Sequence, residues 1–258
     1  MQVFHRGLIV SIGLLVLAPV ELLAQNISAA TASRLTIGQQ AVIQQLADNT
    51  SQGWFSIQPR AGRSYCASVT FSSQSRFLSG MTQGDPVVDV FLGDGTTLVS
   101  HNDDIATEPD AELQSRACFI WPAAAAGSGF VKATQLSTTS NTYDVRIIET
   151  TMFCPWFFIS GDYNAFTLIR NTTDQAVNFT INWRNAAGTI VGTSGGSLAG
   201  NANVAINARS FVNPATAPNG SVEIVHDGSE DALKASTTTL SATTGLGFDA
   251  LFEQRRSQ

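Results

Sequence analysis

Val177-Asn178-Phe179-Thr180-Ile181-Asn182-Trp183 decides the fold class. Its apolar residues fall at every second position, with Asn, Thr and Asn between them. Successive side chains of a strand point to opposite faces, so this spacing is that of a half-buried β-strand. The same grammar continues on both sides. Tyr163–Arg170 precedes it across the polar turn NTTDQA. Asn185-Ala-Ala-Gly188 then turns the chain into Thr189–Thr193. Further strands are expected at 203–208, 221–226, 233–240 and 247–252. Short strands separated by polar turns over about 100 residues predict a sandwich of immunoglobulin or fibronectin type. The Cys…Trp…Cys spacing of antibody domains is absent.

The first half reads alike. Strands are expected at 41–46, 53–57, 64–71, 87–92, 98–101, 117–121, 129–134 and 142–148. Gly62, Gly84, Asp94-Gly95 and Gly127 punctuate them. Almost no helical period occurs. The predicted fold class is therefore all-β, with two β-sandwich domains, jelly-roll-like first and immunoglobulin/fibronectin-like second. The expected organisation is a signal peptide at 1–24 and a lead-in at 25–34. Sandwiches follow at 35–149 and 153–252, with a tail at 253–258. The boundary at Glu149–Met152 leaves so short a linker that the sandwiches are expected to pack together.

The signal peptide rests on Arg6, the apolar run Leu8–Val20 and the small residue Ala24 ahead of Gln25. The run is short for a membrane span. The alternative reading is an uncleaved signal anchor. No later stretch is apolar enough to span, so the product is expected to be secreted or periplasmic, with no transmembrane segment after signal removal.

Charge excludes some partners. The 258 residues carry 14 Lys+Arg against 20 Asp+Glu, a net charge of −6. Charged residues make up 13%, against roughly 25% in ordinary globular chains. With a pI near 4.9 there is no basic footprint for nucleic acid or for an anionic membrane surface.

Three cysteines remain to be placed. Cys66 and Cys118 both fall in the first sandwich and are the expected disulfide, in keeping with an oxidising compartment. The closed loop contributes about 4 kcal/mol in the chain-entropy account. Cys154, beside Pro155 and Trp156, reads as a buried thiol, with a nucleophile or an intermolecular bridge as the rarer alternatives.

One chemical feature concentrates. Between Arg76 and Arg116 no Lys or Arg occurs, yet eight of the twenty acidic residues fall there. Asp85 and the loop residues Asn102, Asp103 and Asp104 are the candidate calcium ligands. Calcium takes about six to eight oxygens in flexible geometry, which loop carboxylates and backbone carbonyls can supply. The plainer reading is a solvated acidic loop with Asx turns. Asp89, between Val88 and Val90, is expected to face solvent.

Catalytic signatures are scarce. Of the histidines only His101 and His226 lie beyond the signal peptide, and both read as strand-end or surface residues. His101 beside Asp103 and Asp104 is a weaker candidate for a metal-site residue. Gly192-Thr-Ser194-Gly-Gly196 is similar to the nucleophile turn of trypsin-like proteases. Nothing around His101 matches that clan, and the domain boundary separates it from Ser194. The expected reading is a Gly/Ser hairpin turn. No metalloprotease, phosphate-loop or dinucleotide motif occurs. No catalytic residue is expected. Among the four Trp, Trp183 is expected in the core, and Trp156-Phe157-Phe158 in core or interdomain packing. An exposed aromatic row would instead stack on sugar rings or fill a partner's pockets.

The first sandwich carries a resemblance. Gly53-Trp-Phe-Ser-Ile57 with Arg60-Ala-Gly-Arg-Ser-Tyr65, then Asp85-Pro-Val-Val-Asp-Val-Phe91, Gly95-Thr-Thr-Leu98 and Asn102-Asp103-Asp104, and finally Phe119–Gly127 with Thr142-Tyr-Asp-Val145, together resemble the bacterial pre-peptidase C-terminal domain. The likeness covers about half of the chain beyond the signal peptide. Gly53 stands where that family often has Asp, and the Cys66–Cys118 pair and the insert 107–114 depart from its pattern. The resemblance implies a non-catalytic jelly-roll-like accessory module for secretion, folding or polymer binding, calcium-binding in some relatives. The second half resembles modules of uncharacterised secreted bacterial proteins. The expected function is extracellular or periplasmic binding or structural interaction with an unidentified polymer or protein. The alternatives are a secreted hydrolase of serine or glycosidase type and a passive envelope spacer.

Overall fold

The computed structural model describes residues 26–72, 84–104, 114–125 and 127–254. The candidate signal peptide and most of the insert lie outside them. The fold is all-β, built as two β-sandwiches.

In the first sandwich, one sheet runs in the order β1 (Ser33–Arg34), β3 (Gly53–Ile57), β8 (Gly129–Gln135), β5 (Pro86–Leu92), β6 (Leu98–Asn102). The facing sheet runs β2 (Val42–Leu46), β9 (Asn141–Glu149), β4 (Ser64–Phe71), β7 (Gln114–Ile120). Strand alternation sends Phe55, Val88, Val90, Val131, Val69, Val145 and Ile147 inward to one apolar core with Trp121 and Tyr143. The lead-in belongs to this body. Asn26 takes a bond from Trp54 N at 2.6 Å and returns one from its own amide at 3.1 Å. β1 pairs in parallel with β3.

In the second sandwich, one sheet runs β13 (Ile190–Leu198), β12 (Val177–Asn185), β15 (Asn219–His226), β10 (Met152–Phe158), β18 (Glu253–Gln254). The other runs β14 (Asn203–Asn207), β11 (Tyr163–Asn171), β16 (Leu233–Ser241), β17 (Gly247–Leu251). The alternating stretch is β12, with Phe179, Ile181 and Trp183 in the core. Gly188, at φ 81°, makes the hairpin after it, a conformation that favours glycine.

Three sequence expectations change. The Gly/Ser stretch 192–197 is not a turn but the middle of β13. A Cβ at Gly192 would lie 2.6 Å from Phe211 O, so close backbone approach explains that glycine. The PWFF segment is itself a strand, β10. Tail residues Glu253 and Gln254 pair with its start.

The junction is short and pinned. Thr150 and Thr151 connect β9 to β10 and both are buried. Thr150 N donates to Ser64 O at 2.8 Å, and Ser64 N donates to Thr151 Oγ1 at 2.9 Å. A linker whose backbone is hydrogen-bonded to both sandwiches leaves little freedom for a hinge.

Candidate functional site

The strongest concentration of buried polar chemistry lies where the sandwiches meet. Glu223, in the middle of β15, is 2% exposed. Arg63, in the turn before β4, places Nη1 2.6 Å from Glu223 Oε2, and Arg184 of β12 places Nε at 3.3 Å from the same oxygen. Arg63 also lies over the Phe153 ring, 4.5 Å from its centroid. One carboxylate thus holds a cation from each sandwich. A buried charge is tolerable only when so paired, because desolvation costs several kcal/mol per ion.

His226 ends β15 and is fully buried, which corrects the surface reading. Its Nε2 donates to Thr150 O at 3.0 Å, and a carbonyl can only accept, so Nε2 carries the proton. Burial pushes its pKa below the ordinary imidazole value, against the hydrogen bond and nearby Asp227.

The Cys66–Cys118 disulfide is present, with Cα atoms 4.1 Å apart. It joins directly paired residues of β4 and β7. The bridge sits on the face turned to the second sandwich, and Cys66 Sγ approaches Gly228 O to 3.5 Å. Cys154 is free and buried, and burial raises its pKa, so it is a packed thiol rather than a nucleophile.

Around this junction runs a trough. A cleft of 890 Å³ lies between the sandwiches. It shares Arg146, Ile148, Glu230 and Asp231 with a 300 Å³ hollow beside Cys66. At its other end it shares Lys234, Ala235 and Leu251 with a 430 Å³ groove on the outer face of β11 and β16. Two like-charge placements line it. Arg116 and Arg146 flank Ser68 from the two neighbouring strands, and Arg170 lies directly opposite Lys234. Like charges in such positions weaken a sheet. Lys234 is relieved by Asp231 at 2.7 Å. Sequence reading missed these groups, because they converge from strands more than a hundred residues apart.

The calcium candidates do not assemble into a cage within the described residues. Asn102 ends β6, and its Oδ1 takes Arg116 N at 3.4 Å. Ser115 Oγ lies within 2.9 Å of both Pro86 O and Asn102 O, which engages two carbonyls of the neighbourhood. Asp85 is half-buried, and its carbonyl takes Leu136 N at 2.8 Å. Asp103 and Asp104 are exposed. Among the described residues no three His, Cys, Asp or Glu side chains are grouped to hold a metal ion. Glu108, Asp110 and Glu112 lie outside those residues. Asp94 forms an Asx turn with Thr96 and Thr97, whose hydrogen bonds lower its pKa to about 2.

His101 finds a different partner from the one expected. Its Nδ1 lies 2.6 Å from Asp89 Oδ1, and Lys132 Nζ lies 3.5 Å from Asp89 Oδ2. The register places Trp54, Lys132, Asp89 and His101 in one row across β3, β8, β5 and β6. Asp89 is therefore covered by its neighbours rather than open to solvent.

Ser194 lies in β13 of the other sandwich. His226 is in the same sheet, but β12 intervenes and the imidazole is committed to Thr150 O.

No family model matches the chain, and no curated protein sequence matches it. Solved structures overlap it only loosely. A β-glucuronidase from Bacteroides uniformis has a TM-score of 0.22 and 8% identity over 80% of this chain and 27% of its own. A β-glucuronidase from glycoside hydrolase family 2 has a TM-score of 0.20 and 6% identity over 88% and 26%. A family 2 glycosyl hydrolase from Bacteroides cellulosilyticus has a TM-score of 0.20 and 8% identity over 83% and 29%. The chain thus spans under a third of the length of these proteins, and overlap at this level carries no argument about activity.

Among the described residues no helix is long and apolar enough to cross a membrane.

Proposed function

We propose that this chain is an exported, non-catalytic binding protein whose two sandwiches hold an extended polymer or protein segment along their shared trough. The observation that carries the reading is the continuity of that trough across both domains, over a junction fixed by Arg63, Glu223, Arg184 and His226. Clefts at domain interfaces are the usual place for ligands, and a preformed one loses little entropy on binding. Like charges placed opposite each other fit a surface whose stability yields to recognition. The disulfide is compatible with an extracellular setting. The pre-peptidase C-terminal likeness of the first sandwich accords with an accessory, polymer-facing role.

The test is an array of matrix proteins and polysaccharides probed with the wild-type chain and the double variant R146E/R170E. A ligand retained by the wild type and lost by the variant supports the reading. Capture that ignores both arginines overturns the trough. A hydrolase screen in which S194A abolishes a wild-type activity overturns the non-catalytic part.

A further inference from the structure

In the second sandwich, the segment Pro155-Trp156-Phe157 breaks strand alternation. The register of β10 on β15 shifts between Cys154 and Phe157. Phe157 enters the core, while Trp156 is left 43% exposed. A bulge is a recognised way of re-aiming a side chain. The other three Trp are all buried. This also corrects the expectation that Trp156 serves core or interdomain packing.

The exposed ring is not loose. Phe248 of β17 stacks against it at 4.7 Å and 13°. Phe158 lies 6.0 Å away at 34°, and Tyr163 meets Phe158 edge-on at 5.4 Å. Four rings from three strands make a continuous strip, with Trp156 fixed from beneath. A rigid aromatic with an open face binds at small entropic cost.

Charge narrows the occupant. Asp162 precedes Tyr163 at one end of the strip, its carboxylate accepting from Ser241 Oγ and Thr243 N, whereas Asp249 lies on the opposite face of β17 and accepts from Thr238 Oγ1. The nearby cation, Arg209, is committed to Tyr163 O at 2.8 Å and Gly161 O at 2.7 Å. Arg209 and Asp162 balance each other beside the strip, so it offers no net cation to hold an anionic polymer. A neutral pyranose ring, with an apolar C–H face and peripheral hydroxyls, needs none.

We propose that Trp156, backed by Phe248 and extended by Phe158 and Tyr163, is a stacking platform for the pyranose rings of a neutral polysaccharide. The platform goes beyond the reading above, because it is separate from the trough.

The test is affinity electrophoresis of the full chain through gels containing hydroxyethylcellulose, xylan or laminarin, with alginate as the anionic control. Retardation by at least one neutral glycan is expected. Trp156→Ala should weaken it at least tenfold, and Trp156→Tyr should keep part of it. Melting curves establish that both variants are folded. Retardation unchanged in Trp156→Ala, or seen only with alginate, overturns the platform. If no glycan retards the chain while the arginine-dependent capture of the array persists, the platform fails and the trough stands.

Discussion

Two ionic arrangements in this molecule use the same chemistry in different surroundings. At the junction, Glu223 holds Arg63 and Arg184, the carboxylate almost fully buried and the two arginine side chains 17% and 28% exposed. On the outer face of the first sandwich, Asp89 holds His101 and Lys132 beside Trp54, with the His101 side chain about half exposed. Both are one carboxylate between two basic groups. Water separates their consequences. The outer row is screened and its partners lose little when parted. The junction carboxylate has almost no solvent to fall back on, and losing it leaves two partly buried cations without their partner. The junction trio fixes two domains, and the outer row fixes a register.

Several measurements can break or sharpen that contrast. The largest effect is expected at the junction. Glu223→Ala should destabilise by about 3–5 kcal/mol in urea unfolding, since it leaves buried charge uncompensated. It should also split a single transition into two if the trio couples the domains. A loss below about 1 kcal/mol would put the junction on a par with the outer row.

The disulfide comes next. The double variant C66S/C118S should lose about 2–5 kcal/mol, read by the same method. Because the bridge lies against Gly228, the second sandwich should also show altered hydrogen exchange in the loop 227–232.

A smaller, pH-dependent effect is expected from His226. Its folded pKa is depressed, so below the ordinary value of 6.5 the unfolded chain binds a proton that the folded one refuses. Stability is therefore full above that pH and falls as pH drops beneath it. One proton limits the slope to about 1.4 kcal/mol per pH unit. Replacing His226 by Gln should flatten Tm between pH 7 and 5 relative to the wild type.

The smallest effect is expected on the outer row. Asp89→Asn should cost at most about 1 kcal/mol, and the difference should shrink further in 1 M salt. A loss as large as that of Glu223→Ala would erase the distinction.

The legible part of the fold was the part written in local pattern. VNFTINW became β12, and GWFSI and SYCASVTF became β3 and β4 with the expected bounds. The Gly-rich stretch 192–197 misled, because glycine marks both turns and close backbone approach, and only Phe211 above Gly192 tells which. PWFF misled as well. A continuous apolar run has no period, and the bulge that sorts Phe157 inward from Trp156 outward depends on the ladder with β15. Of the site, the sequence exposed His101 but not its partner. Asp89 is twelve residues away and adjacent only by the pairing of β5 with β6. Arg63, Arg184 and Glu223 gave no signal, since isolated charges in strands look like solvent-facing ones.

The sequence by itself determined an all-β chain of alternating strands, a low and acidic charge, and the two cysteines that pair. Those properties depend on composition and on the two-residue period of a strand, which any neighbour-free reading can count. Tertiary structure alone decided that Glu223 and His226 are buried, that the trough runs across both sandwiches, and that Trp156 faces outward. Burial and convergence depend on which strands become neighbours, and pairing across the chain is set by packing rather than by any local stretch.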